Sequence, residues 1–138
     1  MSHLLKTLLF FIISSSLVSC EPWQSHKPNF KDGGATLANL KREYHCESLE
    51  FENWRREDVN DSTLTVCLIN SKLAASLQAK KIELQVEQLK QIARRIRSVV
   101  EKPSRYKSYY IIFVQKEGTF PFETKVHSLG MDIANEDL

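Results

Sequence analysis

SLQAKKIELQVEQLKQIARRIRSVVE, residues 76–101, decides the architecture. Ala79, Ile82, Val86, Leu89, Ala93, Ile96 and Val100 recur at alternating spacings of three and four, and Ile92 and Val99 widen the stripe. That period is one face of a long helix. No Gly or Pro interrupts it, and Pro103 with Ser104 ends it. A face this apolar must be covered, and the neighbouring sequence offers strands to cover it.

Upstream, residues 47–54 alternate. Leu49 and Phe51 share one side, with Ser48, Glu50 and Glu52 on the other, as in a half-buried strand. Residues 63–69 are rich in β-branched side chains. Leu64, Val66 and Leu68 line one face, and Thr63, Thr65, Cys67 and Ile69 the other. A polar connection over 55–61, with Asn60-Asp61 as turn chemistry, predicts an antiparallel pair. Before them, Leu37, Leu40 and Tyr44 predict a short helix over 35–45, opened by Asp32 or Gly34. Downstream, 109–115 reads as a strand, Lys116-Glu117-Gly118 as a turn, and 119–129 as a last strand with Pro121 at its edge. Residues 130–138 read as a frayed acidic tail. The expected fold is a small single α+β domain of order α-β-β-α-β-β. An antiparallel sheet of about four strands packs against one long helix.

Composition agrees with one globular unit. The chain has 138 residues, 42% of them apolar and 26% charged, which excludes a disordered tail, a coiled-coil rod and a polytopic membrane protein. A formal charge of +2 gives no bulk basicity for nucleic acid.

The first twenty residues differ from the rest. Lys6 precedes a solid apolar run, Leu8-Leu9-Phe10-Phe11-Ile12-Ile13, then three serines and Leu17-Val18-Ser19-Cys20. A cationic start, an apolar centre and a small residue before the cut form a secretory signal. The apolar stretch is well short of the ~20 residues a spanning helix needs. Residues 17–20 resemble the lipobox of bacterial lipoproteins: aliphatic, small or aliphatic, small, then Cys. The resemblance covers residues 1–20 only. It implies cleavage before Cys20, diacylglycerol on its sulfur, and a place in the bacterial cell envelope. Glu21 at the following position implies the outer membrane. The chain then divides into a signal peptide (1–19), an anchor and tether (20–34) and a globular domain (35–138). Trp23 sits at the membrane interface or folds back onto the domain.

Catalytic constellations are scarce. The chain has no G-x-S-x-G, H-E-x-x-H, P-loop or G-x-G-x-x-G pattern, and no cofactor or metal is expected. His45, Cys46, Cys67 and His127 have the atoms for zinc, but neighbours on a strand point to opposite faces. Cys46 and Cys67 are candidates for a disulfide across the first two strands, the alternative being two buried thiols. Tyr106, Tyr109, Tyr110 and Phe113 form an aromatic group that suits either a ligand platform or the core. Residues 72–107 hold ten Lys or Arg against three Glu, whereas 47–61 and 117–138 are acidic. Lys90, Arg94, Arg95 and Arg97 are therefore the candidate surface for an acidic protein partner. The expected function is a lipid-anchored, non-catalytic binding or scaffolding module. An inhibitor or immunity-type partner of a secreted enzyme, and an enzyme with an unrecognised site, are the alternatives.

The anchor is directly testable. Cys20→Ala is expected to leave the precursor uncleaved and unacylated, as read by intact mass of the detergent-extracted protein. An acyl-free Cys20 in the unmutated chain, or a mature N-terminus elsewhere, would refute the lipobox reading.

Overall fold

A computed structural model describes residues 28–53, 62–119 and 121–138. The signal peptide, Cys20, Trp23, His26 and the 55–61 connection lie outside the described residues.

Helix α1 spans Ala35–Glu43 and buries Leu37 and Leu40. Asp32 opens it, its carboxylate accepting from the backbone N–H of Gly34 at 3.0 Å and of Thr36 at 2.8 Å. Hydrogen bonds from Thr36, its side chain foremost, hold the Asp32 carboxyl below the ordinary value. Residues 28–34, read from sequence as tether, are attached to the domain. The Lys31 N–H donates to the Val99 carbonyl at 2.8 Å, the Glu101 N–H to the Asn29 carbonyl at 3.1 Å, and Phe30 packs on Phe51.

Strands β1 (Ser48–Asn53) and β2 (Ser62–Ile69) pair antiparallel, with Ser48 opposite Ile69. Strands β3 (Tyr106–Glu117) and β4 (Thr124–Ala134) form a second antiparallel pair. The sheet order is β1-β2-β3-β4. The fold class is the expected α+β, but the sheet is mixed, because β2 and β3 run parallel, with Val66 opposite Ile111. The cause is the connection: two antiparallel hairpins joined by a helix that crosses the sheet bring their inner strands together head to head.

That crossover is two helices rather than one. Helix α2 covers Ala74–Gln78 and α3 covers Ile82–Val99, with an extended Lys81 between them. At about 100° per residue, Leu77 would lie ~120° around an unbroken helix from Leu89. A straight helix cannot bury both; the break buries both. The Gln85 side-chain amide donates to the carbonyls of Gln78 at 2.9 Å and Lys80 at 2.7 Å, and so satisfies the broken turn.

Leu89, Ile92, Ala93 and Ile96 of α3 pack with Leu37 and Leu40 of α1 against Leu64, Val66, Leu68, Tyr109, Ile111 and Phe113. The other face of the sheet carries a smaller cluster of Cys67, Ile69, Ile112 and Val114 with Tyr110, to which no described helix contributes. The expected acidic tail is ordered. Strand β4 continues to Ala134, Ile133 is buried, and the Asn135 amide donates to the carbonyls of Tyr106 at 2.8 Å and Pro103 at 3.2 Å. Gly118 turns β3 toward β4 at φ 90°, where a Cβ would meet the Phe122 carbonyl oxygen at 2.5 Å.

The topology gives the domain two poles. The chain enters beside the end of α3 and the start of β3. The end of α1, the start of β1 and the end of β2 meet at the far pole, about 25 Å away along eight residues of strand.

Sequence periodicity puts Ile82 and Leu89 in one stripe, yet Ile82 is 63% exposed and Leu89 only 3%. Leu89→Ala is expected to cost ~2–5 kcal/mol in chemical denaturation, and Ile82→Ala less than ~1 kcal/mol. Equal losses would place the N-terminal turn of α3 in the core.

Candidate functional site

The far pole holds an open depression of about 700 Å³, lined by Lys41, Arg42, His45, Cys46, Glu47, Asn70 and Lys72. Three segments build it. Lys41 and Arg42 occupy the last turn of α1, where cations also complement the helix dipole. His45 then reverses the chain with φ 49°, and Asn70 does so after β2 with φ 50°. Both are non-glycine residues in the left-handed region, the sort of conformation held only where surroundings dictate it.

The surroundings are hydrogen bonds. The Asn70 side-chain oxygen accepts from the Lys116 backbone N–H at 2.7 Å, and its amide donates to the Glu47 carboxylate at 2.5 Å. The Ser71 hydroxyl donates to the Tyr44 carbonyl at 2.5 Å, and the Lys72 N–H to the His45 carbonyl at 3.3 Å. The corner after β2 is thus locked to the end of α1. The one carboxylate lining the depression, Glu47, is held by Asn70, while Lys41, Arg42 and Lys72 form no ion pair among the described residues.

The cations expected from sequence are arranged differently. On α3, Lys90, Arg94 and Arg97 share a flank and Arg95 lies across the helix from them, by the same 100° rule. Arg94 pairs with Glu87 at 2.9 Å, and Arg95 reaches Glu43 of α1 at 2.6 Å. Arg97 keeps a buried Nε with no hydrogen-bond partner among the described residues. The four therefore make no single surface, and two are occupied within the domain.

Cys46 and Cys67 are both thiols, not a disulfide. Glu50, not Cys46, stands opposite Cys67, and Cys46 lies two residues before β1. Cys46 packs with the helix-side core while Cys67 belongs to the other face, so the sheet separates them. Burial pushes the Cys46 thiol up, against a lowering hydrogen bond with Ser71. It is not activated as a nucleophile. The zinc set is divided too, with His45 and Cys46 at the depression and Cys67 and His127 at a small cavity of about 50 Å³ on the second sheet face. Among the described residues no three His, Cys, Asp or Glu side chains converge as a metal site. Lys116 beside that cavity is held above its ordinary value by its hydrogen bond to Glu50. The aromatic group is core rather than platform: Tyr106, Tyr109 and Phe113 are buried, and only Tyr110 looks out on the second face. Burial pushes the Tyr109 hydroxyl up to about 12.

Electrostatically, the depression suits an anion; it offers no paired nucleophile and base. Sequence reasoning missed it because Lys41 and Arg42 are thirty residues from Lys72. No protein family matches this chain, and no curated protein or solved structure matches it. Among the described residues no helix is long and apolar enough to cross a membrane.

In unfolded, unreduced protein both Cys46 and Cys67 are expected to take up a thiol label, and in the native state both only slowly. No uptake on unfolding would restore the bridge.

Proposed function

We propose that this chain is a lipid-anchored, non-catalytic binding module of the bacterial cell envelope that meets its partner through the far-pole depression. The observation that carries this reading is the contrast among cations. Arg94, Arg95 and Lys116 are matched to carboxylates of the domain itself, while Lys41, Arg42 and Lys72 line a depression without an ion pair among the described residues. Surface cations left unmatched around a concavity steer anionic partners and set the encounter rate.

The anchor fits the same arrangement. Cys20 precedes Pro28 by eight residues, and Pro28 is at the entry pole with Val100 and Tyr106. A lipid on Cys20 would therefore join the domain at the entry pole. Two or more acyl chains make such an anchor lasting, at ~0.8 kcal/mol per buried methylene. The same surface serves an inhibitor or immunity-type role if the partner is a secreted enzyme.

A photo-cross-linking residue at Lys72, in living cells, is expected to give a discrete adduct that the same residue at Gln91 on the exposed side of α3 does not give. Adducts from position 91 alone would move the docking surface to the helix and defeat this reading.

A further inference from the structure

Taking the binding-module reading as given, we infer that the far-pole depression accepts an acidic segment of a polypeptide, which continues onto the open edge of β1. Four observations converge on that occupant. The lining is cationic, with Lys41, Arg42 and Lys72 against Glu47 alone, and Glu47 is engaged by Asn70. The concavity has the volume of a ligand site but lies open, which suits a chain lying across it better than a small molecule enclosed in it. The frame is already locked by the Asn70, Ser71 and Lys72 hydrogen bonds, so little ordering is needed on binding.

The fourth observation separates polypeptide from other polyanions. β1 is an outer strand of the sheet, and among the described residues nothing pairs with its second edge. It starts at Ser48, directly after the Glu47 that lines the depression. Unpaired backbone N–H and C=O groups beside a cationic hollow match a peptide main chain, with its acidic side chains turned to the cations. Of the two glutamates on that strand, Glu50 is paired with Lys116 at 2.5 Å, and the acidic part of the segment is the part in the depression.

Membrane headgroups carry the same negative charge. However, headgroups present no row of backbone donors and acceptors for the open edge of β1 to pair with, as a peptide does.

The test uses the full mature chain in detergent at low salt, with poly-L-glutamate as probe. Polyphosphate serves as a non-peptide polyanion, and phosphatidylcholine vesicles with and without phosphatidylglycerol as the lipid surface, the anchor inserting in both alike. Poly-L-glutamate is expected to bind more tightly than polyphosphate. Lys41→Glu with Lys72→Glu is expected to weaken it about tenfold or more, and Lys41→Gln with Lys72→Gln to weaken it less. Lys90→Glu with Arg94→Glu is expected to leave binding within about twofold. Circular dichroism of each variant establishes that it is folded. Equal losses from both pairs of substitutions, polyphosphate binding as tightly as poly-L-glutamate, or a preference for the phosphatidylglycerol vesicles over phosphatidylcholine alone that Lys41→Glu with Lys72→Glu removes, would each overturn the inference. If position 72 cross-links in cells while poly-L-glutamate fails to bind, the acidic polypeptide falls and the binding module stands.

Discussion

β2 and β3 run parallel at the centre of the sheet, and no short turn can join a parallel pair. The chain must travel back along the whole sheet between them. That return is α2 and α3, and it is the reason one face of the sheet has a cover at all. Leu89, Ile92, Ala93 and Ile96 are buried because the crossover lays them on Leu64, Val66, Ile111 and Phe113, the middle of both hairpins. Everything else is arranged around this constraint. It fixes the direction of α3, the identity of the two poles and the place where α1 must close the core.

The two sheet faces are consequently unequal. One takes all the described helices and most of the buried volume. The other has only Cys67, Ile69, Ile112 and Val114 at its centre, with Glu50 and Lys116 paired beside them. Thr65 on that face has a buried hydroxyl with no hydrogen-bond partner among the described residues. An orphaned hydroxyl costs stability, and the small cavity it lines has room for a bridging water. Polar side chains at the far pole behave differently: the Asn70 oxygen and the Ser71 hydroxyl fix the backbone there, and Lys41, Arg42 and Lys72 are left without an ion pair among the described residues.

Much of the fold was readable because it is local. Alternation along β2 assigned Leu64, Val66 and Leu68 to one face and Cys67 and Ile69 to the other, as observed. Asp32 and Gly34, the two candidates for the start of α1, both stand there, and the three-four stripe marked α3. What local pattern could not contain was phase and register. The stripe runs smoothly through residue 79, but Leu77 is out of phase with it, so the helix breaks there. Ile133 and Asn135 looked like a frayed tail in a short acidic window, yet Asn135 finds its partners thirty residues upstream, at Pro103 and Tyr106. The proposed cysteine bridge failed on register and on face, since Glu50 stands opposite Cys67 and Cys46 packs on the helix side. The depression was illegible for the same reason: Lys72 meets Lys41 and Arg42 only after β1 and β2 pair and Asn70 turns the corner.

The clasp made by Asn135 bears on the order in which the domain can fold. A chain that emerges N-terminus first from any narrow channel, the ribosome's included, exposes its elements in chain order. Here β4 comes last in chain order, yet it supplies Ile133 to the core, and the residue after it ties down the start of β3. A chain held in the channel with β4 still behind it would have an unsealed core and β3 as a raw edge. Premature folding would thus be disfavoured by the topology itself. The domain would close only once β4 is free to pair, with Pro28 and Asn135 then at the same pole.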